Sequence, residues 1–185
     1  MFALGCSNPF ALREGEEPTE SFPIWWRQQT TPQNVLANLV DVYELQQPEF
    51  IADLLTEDHV FEPDPQDVIE TEGKPALTFD EEVLVTRVLL DTLTSYPILQ
   101  MDTLAGISDE DAPQDTVTLR RVYTLELGEF PFAGGVDELV AEGTSAFRMR
   151  QDSLSGEWRI WLWRDRRGEV EWSWGRAQLE VLGGG

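Results

Sequence analysis

Basic residues are scarce in this chain: 13 Lys and Arg stand against 35 Asp and Glu, giving a net charge of −22 over 185 residues. Such a polymer repels phosphate backbones and anionic headgroups, so no nucleic-acid partner is expected. Cysteine and histidine are nearly missing too. Cys6 alone cannot close an internal disulfide, and with His59 as the only histidine no zinc-type spacing exists. No run reaches the roughly 18 apolar residues that span a bilayer. The acidic turn Asp109-Glu110-Asp111 lacks the glycine and distal glutamate of an EF-hand loop. Neither a metal nor a cofactor is expected.

What is present suffices for one folded domain. Apolar residues make up 41% of the chain, with seven Trp and nine Phe, and the length permits a full core. Residues 1–24 read as a tether, acidic and proline-containing, without periodicity. Residues 25–182 read as the domain and 183–185 as a tail. Ala3-Leu4-Gly5-Cys6 resembles the end of a bacterial lipoprotein signal, with Cys6 as the lipidation site. Only five residues precede Cys6, too few for a charged segment and an apolar core. Two readings stay open: a domain anchored to the cell envelope through lipid on Cys6, or a cytoplasmic protein with one free thiol.

The first half of the domain has helical period. Thr31 is an N-cap and Pro32 suits the first helical position. Val35, Leu36, Leu39, Val40 and Tyr43 then form a stripe. Pro48 breaks it and restarts a short helix through Leu55, followed by a brief strand at Val60-Phe61. A third helix opens on a capping box, Thr78 with Glu81, and its expected inner stripe is Val83, Leu84, Arg87, Val88 and Leu90. After Pro97 the period changes to two. Strands are expected over 98–107, 116–127, 144–150 and 157–164, with Arg121 sharing a face with Val117, Leu119 and Tyr123. Helices followed by an antiparallel meander mean α+β.

The run TPQNVLANLVDVYELQQPEFIADLLTEDHVFEPDP and the later GEWRIWLWRDRR resemble the opening and the penultimate strand of nuclear-transport-factor-two-like (SnoaL-like, cystatin-like) domains. The resemblance implies three N-terminal helices packed in the concave side of a strongly curved antiparallel sheet, a half barrel with a cone-shaped cavity. Enzymatic relatives place an Asp or a His–Asp dyad in that cavity, often opposite a Tyr, and many relatives pair two copies through the open sheet face.

No complete catalytic set is legible. His59, in Glu57-Asp58-His59 at a turn, is expected to be exposed, and Asp64 and Asp67 to be solvated. Tyr43 is either a core residue with its hydroxyl at a rim or a cavity donor. Arg87 and Arg121, charges on apolar faces, either reach an edge or hold an anionic ligand. Tyr123 joins them as a cavity candidate. Strict alternation puts Trp161 and Trp163 on the face opposite Trp158 and Ile160, lining a pocket or meeting a second copy. The expectation is a non-enzymatic domain binding a small apolar or anionic ligand or a partner protein, with a homodimer through the sheet face. The alternative is an isomerase, dehydratase or cyclase using acid–base chemistry in the cone.

Overall fold

A computed structural model describes residues 22–105, 110–111, 115–132 and 136–183, with backbone only at 110–111 and 136–137. Most of the tether, and Cys6 with it, lies outside the described residues. The helical half begins with α1, Pro32–Glu44, whose first turn is capped by the Thr31 hydroxyl accepting from the Asn34 N–H at 3.2 Å. Its buried face is Val35, Leu36, Asn38, Leu39, Val42 and Tyr43. The buried Asn38 amide is satisfied by both backbone groups of Arg27, which fixes how the chain enters the helix. A short 3₁₀ turn, Pro48–Phe50, runs into α2, Ile51–Leu54.

Strand β1, Leu55–Glu62, is longer than its expected two residues. It is followed by α3, Pro65–Thr71, capped by Asp64, and by the two-residue strand β2, Leu77–Thr78. Helix α4, Phe79–Thr92, carries the expected capping box. Its buried face, however, is Glu82, Val85, Thr86, Leu89 and Leu90, while Leu84 and Arg87 are exposed. The expected stripe was rotated by about one residue, 100° on a helical wheel. Apolar residues surround this helix, so hydrophobicity alone does not choose the inner face, and partners for Glu82 and Thr86 elsewhere in the fold do.

The meander consists of β3, Ile98–Thr103, the short β4, Glu110–Asp111, then β5, Thr116–Phe130, β6, Val136–Gln151, and β7, Trp158–Arg167. The sheet order is β2-β1-β7-β6-β5-β3, with β4 also on β5. All pairings are antiparallel except β1 with β7, which is parallel. The helices cover one face of this bent sheet, and one apolar core fills the space between. A last helix, α5, Trp174–Gly183, returns onto α3, α4, β6 and β7.

The faces of β7 depend on a bulge. Met149 pairs with Ile160 and Arg148 with Leu162, so Trp161 is an extra residue. One unpaired residue shifts the parity of everything after it. Trp163 therefore turns inward with Ile160, against Phe147 and Phe61, each with ring centroids 5.0 Å away. Trp161 lies on the outer face beneath the Arg148 guanidinium, 5.9 Å from the ring centre. The expected pairing of Trp161 with Trp163 on one face does not occur.

Gly143 on β6 has no room for a side chain. A Cβ there would sit 2.2 Å from the Arg166 carbonyl oxygen and 2.6 Å from the Tyr123 hydroxyl. Gly143→Ala is expected to lower stability by roughly 1–3 kcal/mol and to alter the near-ultraviolet circular dichroism of the buried aromatics; urea denaturation at unchanged spectrum would contradict the close packing.

Candidate functional site

The interior of the cone, where β5, β6 and β7 face α1 and α4, is polar as well as aromatic. At its centre lies Trp174, the first residue of α5, fully buried. Its ring meets Trp163, Tyr43 and Tyr123 edge-on, with centroids 4.5, 4.7 and 5.5 Å apart. Both of its donors are used. The indole N–H donates to the Tyr43 hydroxyl and the backbone N–H to the Tyr123 hydroxyl, each at 2.9 Å.

Three buried carboxylates from three different elements hold this helix. Asp67 of α3 accepts from the Ser173 hydroxyl at 2.5 Å and from Arg167 at 3.3 Å. Asp165 of β7 accepts from the Gly175 N–H at 2.9 Å and from the Ser145 hydroxyl at 3.2 Å. Ser145 in turn accepts from the Trp163 indole at 3.1 Å. Glu82 of α4 accepts from the Gln178 amide at 2.7 Å and from Thr86 at 3.4 Å. Ser173 also caps α5 by accepting from the Arg176 N–H. Gly175 brings the helix end close: a Cβ there would lie 2.8 Å from Pro63 and 3.2 Å from the Asp165 carboxylate.

The environment raises the proton affinity of these acids. Burial pushes the Glu82 carboxyl up to about 7, against the lowering effect of Gln178 and Thr86, with the charge of Asp165 adding to the rise. Oε2 of Glu82 is buried without a hydrogen-bond partner, so its negative form is poorly solvated. Burial likewise brings Asp165 up to about 6, opposed by Gly175, Tyr123, Ser173 and Ser145, and it raises Asp67. Tyr43 is raised by burial and by Glu82, and Tyr123 by burial and Asp165. A carboxyl near neutrality beside a protonated tyrosine is equipment for moving a proton. Trp174 covers it.

Of the residues singled out from sequence, Tyr43, Tyr123 and Trp163 meet around Trp174. Arg121 stays on the inner sheet face, 8% exposed, with one guanidinium nitrogen 2.8 Å from the Arg120 carbonyl oxygen. Arg87 and Trp161 are elsewhere, as described. His59 corrects its expected exposure: it belongs to β1, is 2% exposed, and its Nδ1 donates to the Ile160 carbonyl oxygen at 3.1 Å. Burial lowers its pKa to about 4, so it is neutral at physiological pH. Asp67 is buried rather than solvated. Glu82, Thr86, Asp165 and Gln178 were missed. Their signal was a polar residue at an inward position of an otherwise apolar stripe. Among the described residues no cluster of His, Cys, Asp or Glu is arranged to hold a metal ion.

An α+β cone with helices inside a bent sheet defines the class, and solved structures share it at low identity. A scytalone-dehydratase candidate from Novosphingobium aromaticivorans superposes with a TM-score of 0.57 at 12% identity, over 74% of this chain and 80% of its own. A protein with a cystatin-like fold from Caulobacter vibrioides gives 0.55 at 14% identity, over 75% and 88%. A candidate calcium/calmodulin-dependent kinase type II association domain from Thiobacillus denitrificans gives 0.54 at 10% identity, over 75% and 96%. The sequence matches no family model and no curated protein. The fold is nuclear-transport-factor-two-like, that is, cystatin-like.

The raised acids fix the sign of a pH effect. A carboxyl at about 7 in the folded state and 4.5 when unfolded binds its proton more tightly folded. Its contribution is complete below pH 4.5 and is lost as pH rises through 7. Asp165, at about 6, has the same sign. His59, lowered to about 4, acts with the opposite sign up to pH 6.5, so the test is the difference: in urea denaturation between pH 5 and 8, Glu82→Gln is expected to lose roughly 3 kcal/mol less stability than the wild type; an unchanged slope in the variant would contradict the assignment. Trp174→Ala is expected to cost roughly 3–5 kcal/mol, with millimolar indole restoring part of the lost melting temperature by refilling the hole.

Proposed function

We propose that this chain is a non-enzymatic binding domain whose cone is closed by its own C-terminal helix, so that ligands or partner proteins are met on the outside of the fold. One observation carries the reading. Trp174 occupies the interior with both N–H groups bonded to tyrosine hydroxyls, and three buried carboxylates each spend an oxygen on α5 or on its cap. A general base must come within hydrogen-bond reach of a substrate proton, and here α5 stands in the way. Folds of this kind serve both chemistry and assembly: one structural neighbour is named as a dehydratase candidate and another as an association domain.

A second reading is supported by the Glu82 carboxyl at about 7 next to Tyr43. If α5 withdraws, that pair could serve an isomerase, dehydratase or cyclase by general acid–base catalysis. Native-state hydrogen exchange separates the two. A closed domain exchanges the amides of Ala177 to Val181 at the same free energy as the β5–β6 ladder, because α5 leaves only when everything unfolds. Exchange of α5 a hundred-fold or more faster than the ladder, under conditions where the sheet stays protected, would favour the catalytic reading.

A further inference from the structure

The chain is strongly acidic as a whole, but one surface gathers a large share of its arginines. Alternation along β5, β6 and β7 puts Arg120, Arg148, Arg150, Arg159, Arg164 and Arg166 on the sheet face turned away from the helices. These are six of the chain's 13 basic residues. Within that face is a groove of about 250 Å³. Ala146 pairs with Arg120 on one side and Arg164 on the other, and Thr144 pairs with Arg166. The floor is thus made of short side chains on the central strand, and the walls are long cations on strands about 10 Å apart. Among the described residues no carboxylate lines the groove.

Arg164 is half neutralised from outside by a fork on Glu62, at 2.5 and 3.4 Å. Arg166 meets only backbone carbonyls, those of Asp165 at 2.6 Å and Pro63 at 3.5 Å, both through one nitrogen. Among the described residues it has no carboxylate partner. A guanidinium carries five donors in a planar fork matched to oxyanions. Arg166 is exposed and lines the groove.

We infer that this outer-face groove binds a small molecule carrying a phosphate or carboxylate group, held by the guanidiniums of Arg166 and Arg164. The inference deepens the reading of the chain as a binding domain and rests on it for its purpose, not for its geometry. A polyanion such as nucleic acid would feel the whole charge of −22, whereas a small anion feels chiefly the local field. A second copy docked face to face across a two-fold axis would set like-charged rows opposite each other, so the occupant is an anion and not another copy.

Calorimetric titration with inorganic phosphate and, separately, with succinate tests this, at ionic strength held constant with sodium chloride. The wild type is expected to bind at least one of the two, and whichever binds more tightly identifies the oxyanion. Arg166→Gln and Arg164→Gln are expected to weaken binding ten-fold or more. Arg150→Gln, which lies outside the groove and pairs with Asp58, is expected to change it less than two-fold. Amide resonances of Thr144 and Ala146 should move on binding. Equal binding by wild type and Arg166→Gln, or no binding of either probe, overturns the site. So does self-association of the unliganded wild type that buries Arg166. Because α5 exchange and phosphate binding are read on separate groups, failure of this site leaves the closed cone standing, and an opening α5 leaves this site standing.

Discussion

The structure turns on an arrangement that is costly alone and stable only as a set: three carboxylates taken out of water and each hydrogen-bonded to the N-terminal half of one helix or to its cap. A buried, unpaired carboxylate costs several kcal/mol. Asp67, Asp165 and Glu82 come from α3, β7 and α4, and the partners they need are Ser173, the Gly175 N–H and Gln178. Removing α5 would leave all three without their best donors and would empty the seat of Trp174. Helix, strand and sheet are joined here by directional bonds inside an otherwise apolar core, which specifies one docking position for α5 where hydrophobic contact alone would permit several.

The same arrangement explains what could and could not be read in advance. The α1 stripe was legible because Thr31, Pro32 and five apolar positions agree on one answer, and the meander was legible from its period of two. Arg121 and Tyr123 were placed on the right face because β5 has no irregularity between Val117 and Leu125. Arg87 and Trp161 were misplaced for local reasons. On α4 the inner face mixes Glu82 and Thr86 with Val85, Leu89 and Leu90, while apolar Leu84 is exposed, so a hydrophobicity reading selects the wrong stripe. On β7 a single unpaired residue swaps the faces. Helix α5 was not anticipated at all: the last expected element is the strand ending at residue 164. Polar inward positions satisfied by residues about a hundred places away leave no local trace, and sites built that way are where pattern reasoning is expected to fail.

Charge is sorted by the fold as well. The interior between sheet and helices holds Asp165 of β7 and Glu82 of α4, whose carboxyls burial pushes toward neutrality, and the outer face of the sheet carries arginines in rows set by strand register. Sequence alone shows only that the basic residues cluster late in the chain. Alternation on β6 and β7 converts that cluster into a one-sided surface, since Arg148, Arg150, Arg164 and Arg166 fall on one parity while Phe147, Met149, Trp163 and Asp165 fall on the other.

The parallel pairing of β1 with β7 also bears on how the chain reaches this state. Leu55 pairs with Ile160 and Phe61 with Trp163, contacts separated by about a hundred residues, and α5 follows only after them. Such a topology has high contact order, which slows folding. During synthesis from the N-terminus the apolar faces of α1 and α4 emerge long before the strand and the indole that cover them. The nascent chain must therefore carry exposed core surface until β7 and α5 arrive, and its dense negative charge is well suited to keeping neighbouring chains apart during that interval.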